Sequence, residues 1–135
     1  MSEPIPVLEP VAGGVTAPLG FVAAGVSAGL KKSGKLDMAL LAAERAVPAA
    51  AVYTTNAVAA APVVVSRAHT AGGHVRATLV NAGNANACTG AQGMADARAM
   101  ATRVAAALGC GPEEVVVAST GVIGVPLPMD RVLAG

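Results

Sequence analysis

The chain has 135 residues, of which 54% are hydrophobic and 13% charged, with a formal net charge of +1. This length suits one domain, so we expect residues 1–135 to form a single segment. The low charge excludes an electrostatic binder of nucleic acid or of a membrane surface. One Phe, one Tyr and no Trp leave no stacking platform for single-stranded nucleic acid.

The N-terminus and the cysteines indicate where in the cell the protein is expected to be. The first ten residues, MSEPIPVLEP, lack a basic region followed by an apolar one, so they do not form a signal peptide. Cys88 and Cys110 do not make a disulfide framework, which indicates a reduced, cytoplasmic setting. Residues 46–66 are uncharged, but prolines and polar residues divide them, so no membrane span is predicted.

Short apolar runs bounded by turn residues predict several strands. Residues 1–19 read as an irregular lead-in, and the turn KSGK (32–35) separates the first two strands. The predicted strands are residues 20–31, 36–43, 49–55, 75–80 and 113–119.

Residues 90–108 predict the clearest helix. Thr89 and Gln92 have the spacing of a capping box, and Gly109 suits the position just after the helix end. Apolar side chains recur along one face at i, i+4 and i+8, namely Met100, Val104 and Leu108.

Two further segments complete the secondary structure. Residues 61–71 are ambiguous, because Pro62 suits a first helical turn whereas the run Val63-Val64-Val65 favours a strand. A short helix is expected from Pro128, with Asp130 in its first turn. Strands mixed with helices predict an α/β or α+β fold.

The segment GLKKSGKL (29–36) nearly matches a phosphate-binding loop. Gly29, Gly34 and Lys35 fit the pattern, but Leu36 stands where a Mg²⁺-binding hydroxyl is needed. A basic hairpin turn in water is the favoured interpretation, and nucleotide binding through Gly29–Lys35 is kept as an alternative.

The histidines and Cys88 are weak candidates for chemistry. His69 and His74 are five residues apart without a Cys or carboxylate cluster, so we expect solvent-exposed turn residues rather than a metal pair. Cys88 precedes a helix N-terminus, which favours a thiolate, but a free cysteine is usually a small buried hydrophobe. The latter interpretation is favoured.

Two loops are stronger candidates for a functional site. The stretch NAGNANACTG (81–90) follows an apolar strand and is typical of a loop that brings small residues close to a ligand. In ASTGVIG (118–124), a strand ends in Ser119-Thr120-Gly121, where a glycine turn can aim backbone N–H groups at an oxyanion. Taken alone, such a sequence is most often a plain turn.

Together these blocks resemble a known family. Residues 14–41, 52–63, 81–90 and 117–130 resemble, in order, the N-terminal part of the ornithine acetyltransferases, also called bifunctional glutamate N-acetyltransferases. The likeness covers nearly all of residues 13–135.

The resemblance implies an enzyme of arginine biosynthesis that moves an acetyl group from N-acetylornithine to glutamate. It implies no cofactor and no metal, although some members use acetyl-CoA as a co-substrate. It also implies layered sheets and helices, as in the related self-processing aminopeptidases. Such precursors cut themselves at an Ala–Thr bond, and the new N-terminal threonine of the β chain carries the acetyl group.

The same resemblance assigns a site and a set of partners. Thr120 and Gly121 match the family's oxyanion hole, whereas no role follows for the polar residues of the nearby loop, Asn81, Asn84, Asn86 and Cys88. We find no Ala–Thr cleavage motif and no nucleophile in the chain. It is therefore expected to be the first part of an α chain, inactive alone, with the rest of that chain and the β chain as partners in an αβ hetero-oligomer. A non-catalytic remnant is the remaining alternative.

Overall fold

The computed structural model describes residues 9–135, which form four strands and three α-helices with two short 3-10 turns. The mixed class predicted from the sequence is confirmed. The predicted lead-in falls partly on residues 1–8, outside the described residues, and contains one 3-10 turn farther on. In chain order the elements are a 3-10 turn Gly14–Thr16, β1 Phe21–Val26, β2 Met38–Pro48, α1 Ala61–Thr70, β3 His74–Asn84, α2 Gly90–Leu108, a 3-10 turn Pro112–Glu114, β4 Val115–Val122 and α3 Met129–Ala134.

The strands form one sheet in the order β1-β2-β3-β4. The β1–β2 and β2–β3 pairs are antiparallel, whereas β3 and β4 are parallel and are connected through α2. Parallel strands joined by a helical crossover end at the same edge of a sheet. As a result Ala82 pairs with Thr120, and Gly83 pairs with Gly121.

All three α-helices pack on one face of this sheet. Side chains of alternate strand residues join side chains of α1, α2 and α3 in a single buried cluster. On the other face most side chains are half-buried or exposed, including Ala39, Leu41, Val80, Val116 and Ala118. The described residues thus form two layers, with an open and mainly apolar second sheet face.

Helix predictions are largely confirmed. The ambiguous segment 61–71 is helical, with Pro62 in the first turn, and α2 has the predicted bounds, with Gly109 at φ 66° after its end. The capping box at Thr89 is wrong. The Thr89 hydroxyl donates to Asn86 Oδ1 at 2.6 Å, and Gln92 Nε2 donates to Asp96 Oδ1 at 2.7 Å.

The strand prediction for residues 49–55 is wrong. Strand β2 runs on to Pro48, and residues 49–60 form no strand. Tyr53 instead anchors this segment to α1, since its hydroxyl lies 2.9 Å from that of Thr70 and Arg67 stacks over its ring at 5.4 Å. An apolar run can therefore be fixed by contacts to a helix without pairing in the sheet.

The other strands also differ in their bounds from the prediction. Strand β4 runs from Val115 to Val122 where residues 113–119 were expected, because Pro112–Glu114 form a 3-10 turn. Strand β1 ends at Val26 and not at residue 31, because the backbone N–H groups beyond it turn inward to the Asp37 carboxylate. Strand β3 continues through Asn84, so the first four residues of NAGNANACTG belong to the sheet. Within residues 9–135, none of the helices combines the length and the apolar character that crossing a bilayer requires.

Candidate functional site

Thr120 and Gly121 lie at the carboxyl end of β4, and both are exposed. Side chains alternate along a strand, so Thr120 shares the open sheet face with Val116 and Ala118 and not the helix-covered face. A ligand or another part of a larger protein can therefore reach Thr120 without displacing a helix.

Gly121 has a backbone conformation that other residues rarely adopt. Its φ is +130°, and a Cβ there would collide with the Gly83 carbonyl carbon and come within 2.6 Å of the Asn84 nitrogen. Gly83, its partner in β3, has φ +111°, and a Cβ there would lie 3.0 Å from Cγ of Lys31. The paired glycines let the two strand ends approach closely.

The asparagines at the end of β3 and in the loop after it turn into the protein. Asn81 and Asn86 are fully buried, and Asn86 Nδ2 donates to the Gly93 carbonyl at 2.7 Å. Asn81 Nδ2 donates to the Asn84 carbonyl at 2.7 Å, and the Asn84 side chain donates to the Pro126 carbonyl at 3.1 Å. These side chains hold the loop beside Thr120 and Gly121.

The loop that resembled a phosphate-binding motif already holds an anion of its own. Asp37 accepts hydrogen bonds from the backbone N–H groups of Ala28, Leu30 and Lys31 at 2.6 to 2.9 Å. The Lys31 N–H above all holds the pKa of this buried carboxyl below its ordinary value, against the opposing effect of burial. The loop leads into strand β2 and not into a helix, so the favoured interpretation as a hairpin turn agrees with the structure.

The histidine and cysteine predictions need partial correction. His74 is exposed as expected, but His69 lies in α1 and is half-buried, with Nδ1 2.7 Å from the Val115 carbonyl oxygen. Cys88 is exposed and not buried, with φ 56° in the loop before α2. Among residues 9–135, no three His, Cys, Asp or Glu side chains lie together as metal ligands would.

The sequence interpretation missed Asp37, Gly83 and Ser119 as structural parts of this region. A signal existed for Asp37, since it is a lone carboxylate inside the apolar run LDMALL, and such a charge needs a buried partner. A glycine directly after an apolar strand was the signal for Gly83. Nothing in the spacing indicates that Ser119 lies opposite Asn81.

Comparisons with known proteins identify the family to which this chain is similar. The family model described as "ArgJ family" matches residues 22–135. The arginine biosynthesis bifunctional protein ArgJ of Symbiobacterium thermophilum is 62% identical over 130 residues, and that of Caldanaerobacter subterraneus is 51% identical over 128 residues. Each match covers 95% of this chain and 32% of the relative, so the chain spans about a third of the length of these curated relatives.

Solved structures share the fold. The crystal structure of ArgJ from Bacillus halodurans is 42% identical with a TM-score of 0.87, over 91% of this chain and 64% of that one. Ornithine acetyltransferase from Mycobacterium tuberculosis, complexed with ornithine, is 53% identical with a TM-score of 0.86, over 90% and 66%. The chain belongs to the ArgJ family, a family of acyltransferases in arginine biosynthesis.

Proposed function

We propose that this chain is the N-terminal part of an acetyltransferase that moves an acetyl group from N-acetylornithine to glutamate. Thr120 and Gly121 supply the oxyanion hole, and the acetylated nucleophile is a threonine outside these 135 residues. The enzyme works in the cytoplasm without a cofactor, with acetyl-CoA as a second acetyl donor in some relatives. The observation that carries the proposal is the exposed Thr120–Gly121 strand end in a member of the ArgJ family.

The geometry of this strand end supports the role. An acyl transfer passes through a tetrahedral intermediate whose oxygen becomes negative, and it needs donors that are fixed in advance. The positive φ of Gly121 turns its peptide out of regular strand geometry, and the close packing against Gly83 makes that turn rigid. In this proposal the Thr120 hydroxyl, on the open sheet face, is a second donor to the same oxyanion.

The lengths of the relatives support a two-chain enzyme. This chain covers about a third of the curated relatives but about two thirds of the solved chains, so those solved chains are much shorter than the curated proteins. That difference agrees with a precursor divided into α and β chains. Ala–Thr pairs occur in this chain at 77–78 and 101–102, but they lie inside β3 and α2, where a break would disrupt the core, so neither is proposed as the cleavage site.

The first test replaces Thr120 by alanine in the complete enzyme. Thr120→Ala removes the hydroxyl and keeps the backbone N–H, and loss of one oxyanion donor costs roughly 10²–10³ in kcat, or about 3–4 kcal/mol. KM for N-acetylornithine should change little, because the donor acts mainly on the transition state. Processing is checked on gels first, since self-cleavage also forms an oxyanion.

A second variant tests the backbone. Gly121→Ala places a Cβ against the Gly83–Asn84 peptide at a φ of +130°, so it should move the N–H away and reduce kcat. Correctly processed Thr120→Ala and Gly121→Ala enzymes with wild-type turnover would remove this site from the mechanism. If the wild-type enzyme itself shows no acetyl transfer, the chain is a non-catalytic remnant.

The nucleotide-binding alternative has its own test. The Leu30 and Lys31 N–H groups of the loop are bound to Asp37, which places a negative charge where a phosphate would lie. A Mg-ATP titration should therefore show no binding. Saturable binding that Lys35→Ala abolishes would favour that alternative.

A further inference from the structure

Ser119, the residue before Thr120, joins β4 to the loop after β3. Its hydroxyl donates to the Asn84 carbonyl at 3.2 Å and accepts the Asn86 backbone N–H at 2.8 Å. Both bonds cross between segments 33 to 35 residues apart in the chain. One hydroxyl therefore fixes two successive peptide groups of the loop, on the helix-covered side of the sheet, opposite to the face of Thr120.

Asn81 acts on the same carbonyl from the other strand. It pairs with Ser119 in the parallel register, it is wholly buried, and its Nδ2 donates to the Asn84 carbonyl at 2.7 Å. Its side-chain oxygen has no partner among the described residues 9–135. A buried amide with an unpaired oxygen is costly, and here the Asn81 side chain donates to the carbonyl of Asn84, the residue whose nitrogen borders Gly121.

The carbonyl held by these two side chains belongs to Asn84, the residue whose backbone nitrogen packs against the end of β4. The Gly83 carbonyl carbon and the Asn84 nitrogen are the backbone atoms nearest to the Cβ position of Gly121. Beyond Gly121, the Ala85 N–H donates to the Val122 carbonyl at 2.8 Å. Hydrogen bonds from residues 84–86 thus hold β4 on both sides of Thr120–Gly121. A shift of residues 84–86 would therefore move the Thr120 and Gly121 donors.

We infer that Ser119 and Asn81 are positioning residues, which fix the direction of the Thr120 and Gly121 donors by holding the Asn84 carbonyl between β3 and β4. This inference rests on the proposed function. Neither side chain needs to touch the substrate. A misplacement of reacting groups by about 1 Å can cost on the order of 10²-fold in rate, so the loss of a holding bond should appear in kcat.

The test compares Ser119→Ala with the same change at a serine of α1 that bonds to β4, in the fully processed complete enzyme. Ser66, buried on α1, bonds through its hydroxyl to both the Val117 carbonyl and the Val117 N–H, at 2.8 and 3.0 Å. Ser119→Ala should lower kcat by about 10²-fold with KM for N-acetylornithine nearly unchanged, and Ser119→Thr should restore it. Ser66→Ala should lower the denaturation midpoint and leave kcat near wild type.

Two further measurements separate positioning from general stability. Asn81→Leu keeps the branched shape and removes both the donor and the unpaired oxygen, so it should lower kcat with little loss of stability. A Ser119→Ala/Thr120→Ala double variant should lose less than the product of the single losses, because both act through one donor set.

The outcomes distinguish this inference from the proposed function. If Thr120→Ala and Gly121→Ala lower kcat, but Ser119→Ala falls no further than Ser66→Ala or its effect multiplies with that of Thr120→Ala, the positioning role is wrong and the oxyanion hole stands. If Thr120→Ala and Gly121→Ala leave kcat unchanged, the proposed function itself fails.

Discussion

A single carboxylate shapes the loop between β1 and β2. Asp37 is 2% exposed and accepts three backbone N–H groups, which would otherwise continue β1 or face water. These bonds favour the ionised form, with the Lys31 N–H as the largest influence, and they keep the pKa of Asp37 below its ordinary 3.8. Lys31 and Leu30 also border Gly83, so this carboxylate helps to define the surroundings of the paired glycines.

The pH dependence follows from the direction of that shift. A pKa lowered in the folded state gives stability that is fully present above the unfolded pKa and is lost as pH falls through the folded pKa. Asp37→Asn should therefore lower the denaturation midpoint at neutral pH. The midpoint of this variant should also fall less than that of the wild type as the pH is lowered from neutral to about pH 3. Glu44→Gln, which removes an exposed carboxylate, is the control. An Asp37→Asn enzyme with the same acid profile as Glu44→Gln would contradict this account.

At the scale of one element, helix α2 depends on a glycine in its second turn. Gly93 is buried, and a Cβ there would overlap the Thr89 hydroxyl and the Asn86 side-chain oxygen. The hydrogen bond between those two side chains occupies the space beside the helix. The start of α2 is thus fixed by packing against the loop, where the spacing of Thr89 and Gln92 had predicted a capping box.

Gly93→Ala tests this packing. Alanine is the better helix former by about 1 kcal/mol, yet the overlap should reverse the sign and destabilise the protein by about 1–3 kcal/mol. The denaturant midpoint of the complete enzyme measures it. Gly72→Ala, where the nearest atom to a new Cβ is the His69 carbonyl oxygen at 3.8 Å, should be nearly neutral. A Gly93→Ala protein as stable as wild type would show that the Thr89–Asn86 pair can move aside.

At the scale of the whole molecule, residues 9–135 leave much apolar surface in water. The second sheet face is open, β1 is an edge strand with five exposed residues of six, and Val122, Ile123 and Val125 beside Gly121 are also exposed. Exposed apolar faces and strand edges favour association. In the enzyme that we propose, other parts of the protein would cover this face.

Two outcomes are expected for the isolated 135-residue chain. It should aggregate or remain poorly folded, so size-exclusion chromatography should not show a monodisperse monomer with a cooperative thermal transition. It should also show no acetyl transfer from N-acetylornithine to glutamate, because the proposed nucleophile is absent. Turnover by a rigorously purified chain would contradict the threonine assignment, and its loss on thiol blocking would identify Cys88.

Local sequence patterns predicted much of the fold. The class, the bounds of α2, the helix after Pro128 and the turn at residues 32–35 are confirmed because capping residues, glycines and apolar spacing act within a few positions. The error at residues 49–55 has the opposite cause. An apolar run is compatible with a strand or with packing on a helix, and the Tyr53–Thr70 contact decides between them.

The candidate site was also predicted only in part from the sequence. The sequence by itself determined that Ser119-Thr120-Gly121 lies near the end of a strand and, through four ordered blocks, the resemblance to the acetyltransferases. It ended that strand too early, since β4 continues to Val122. Only the tertiary structure decided that Gly83 pairs with Gly121 and that Asn81 and Ser119 donate to the same carbonyl. It also showed that Asp37 binds the backbone of the loop that resembles a phosphate site. These facts depend on the register of β3 against β4 and on long-range hydrogen bonds. Register is set by the parallel crossover through α2 and by core packing, which join residues far apart in the chain and leave no trace in local spacing.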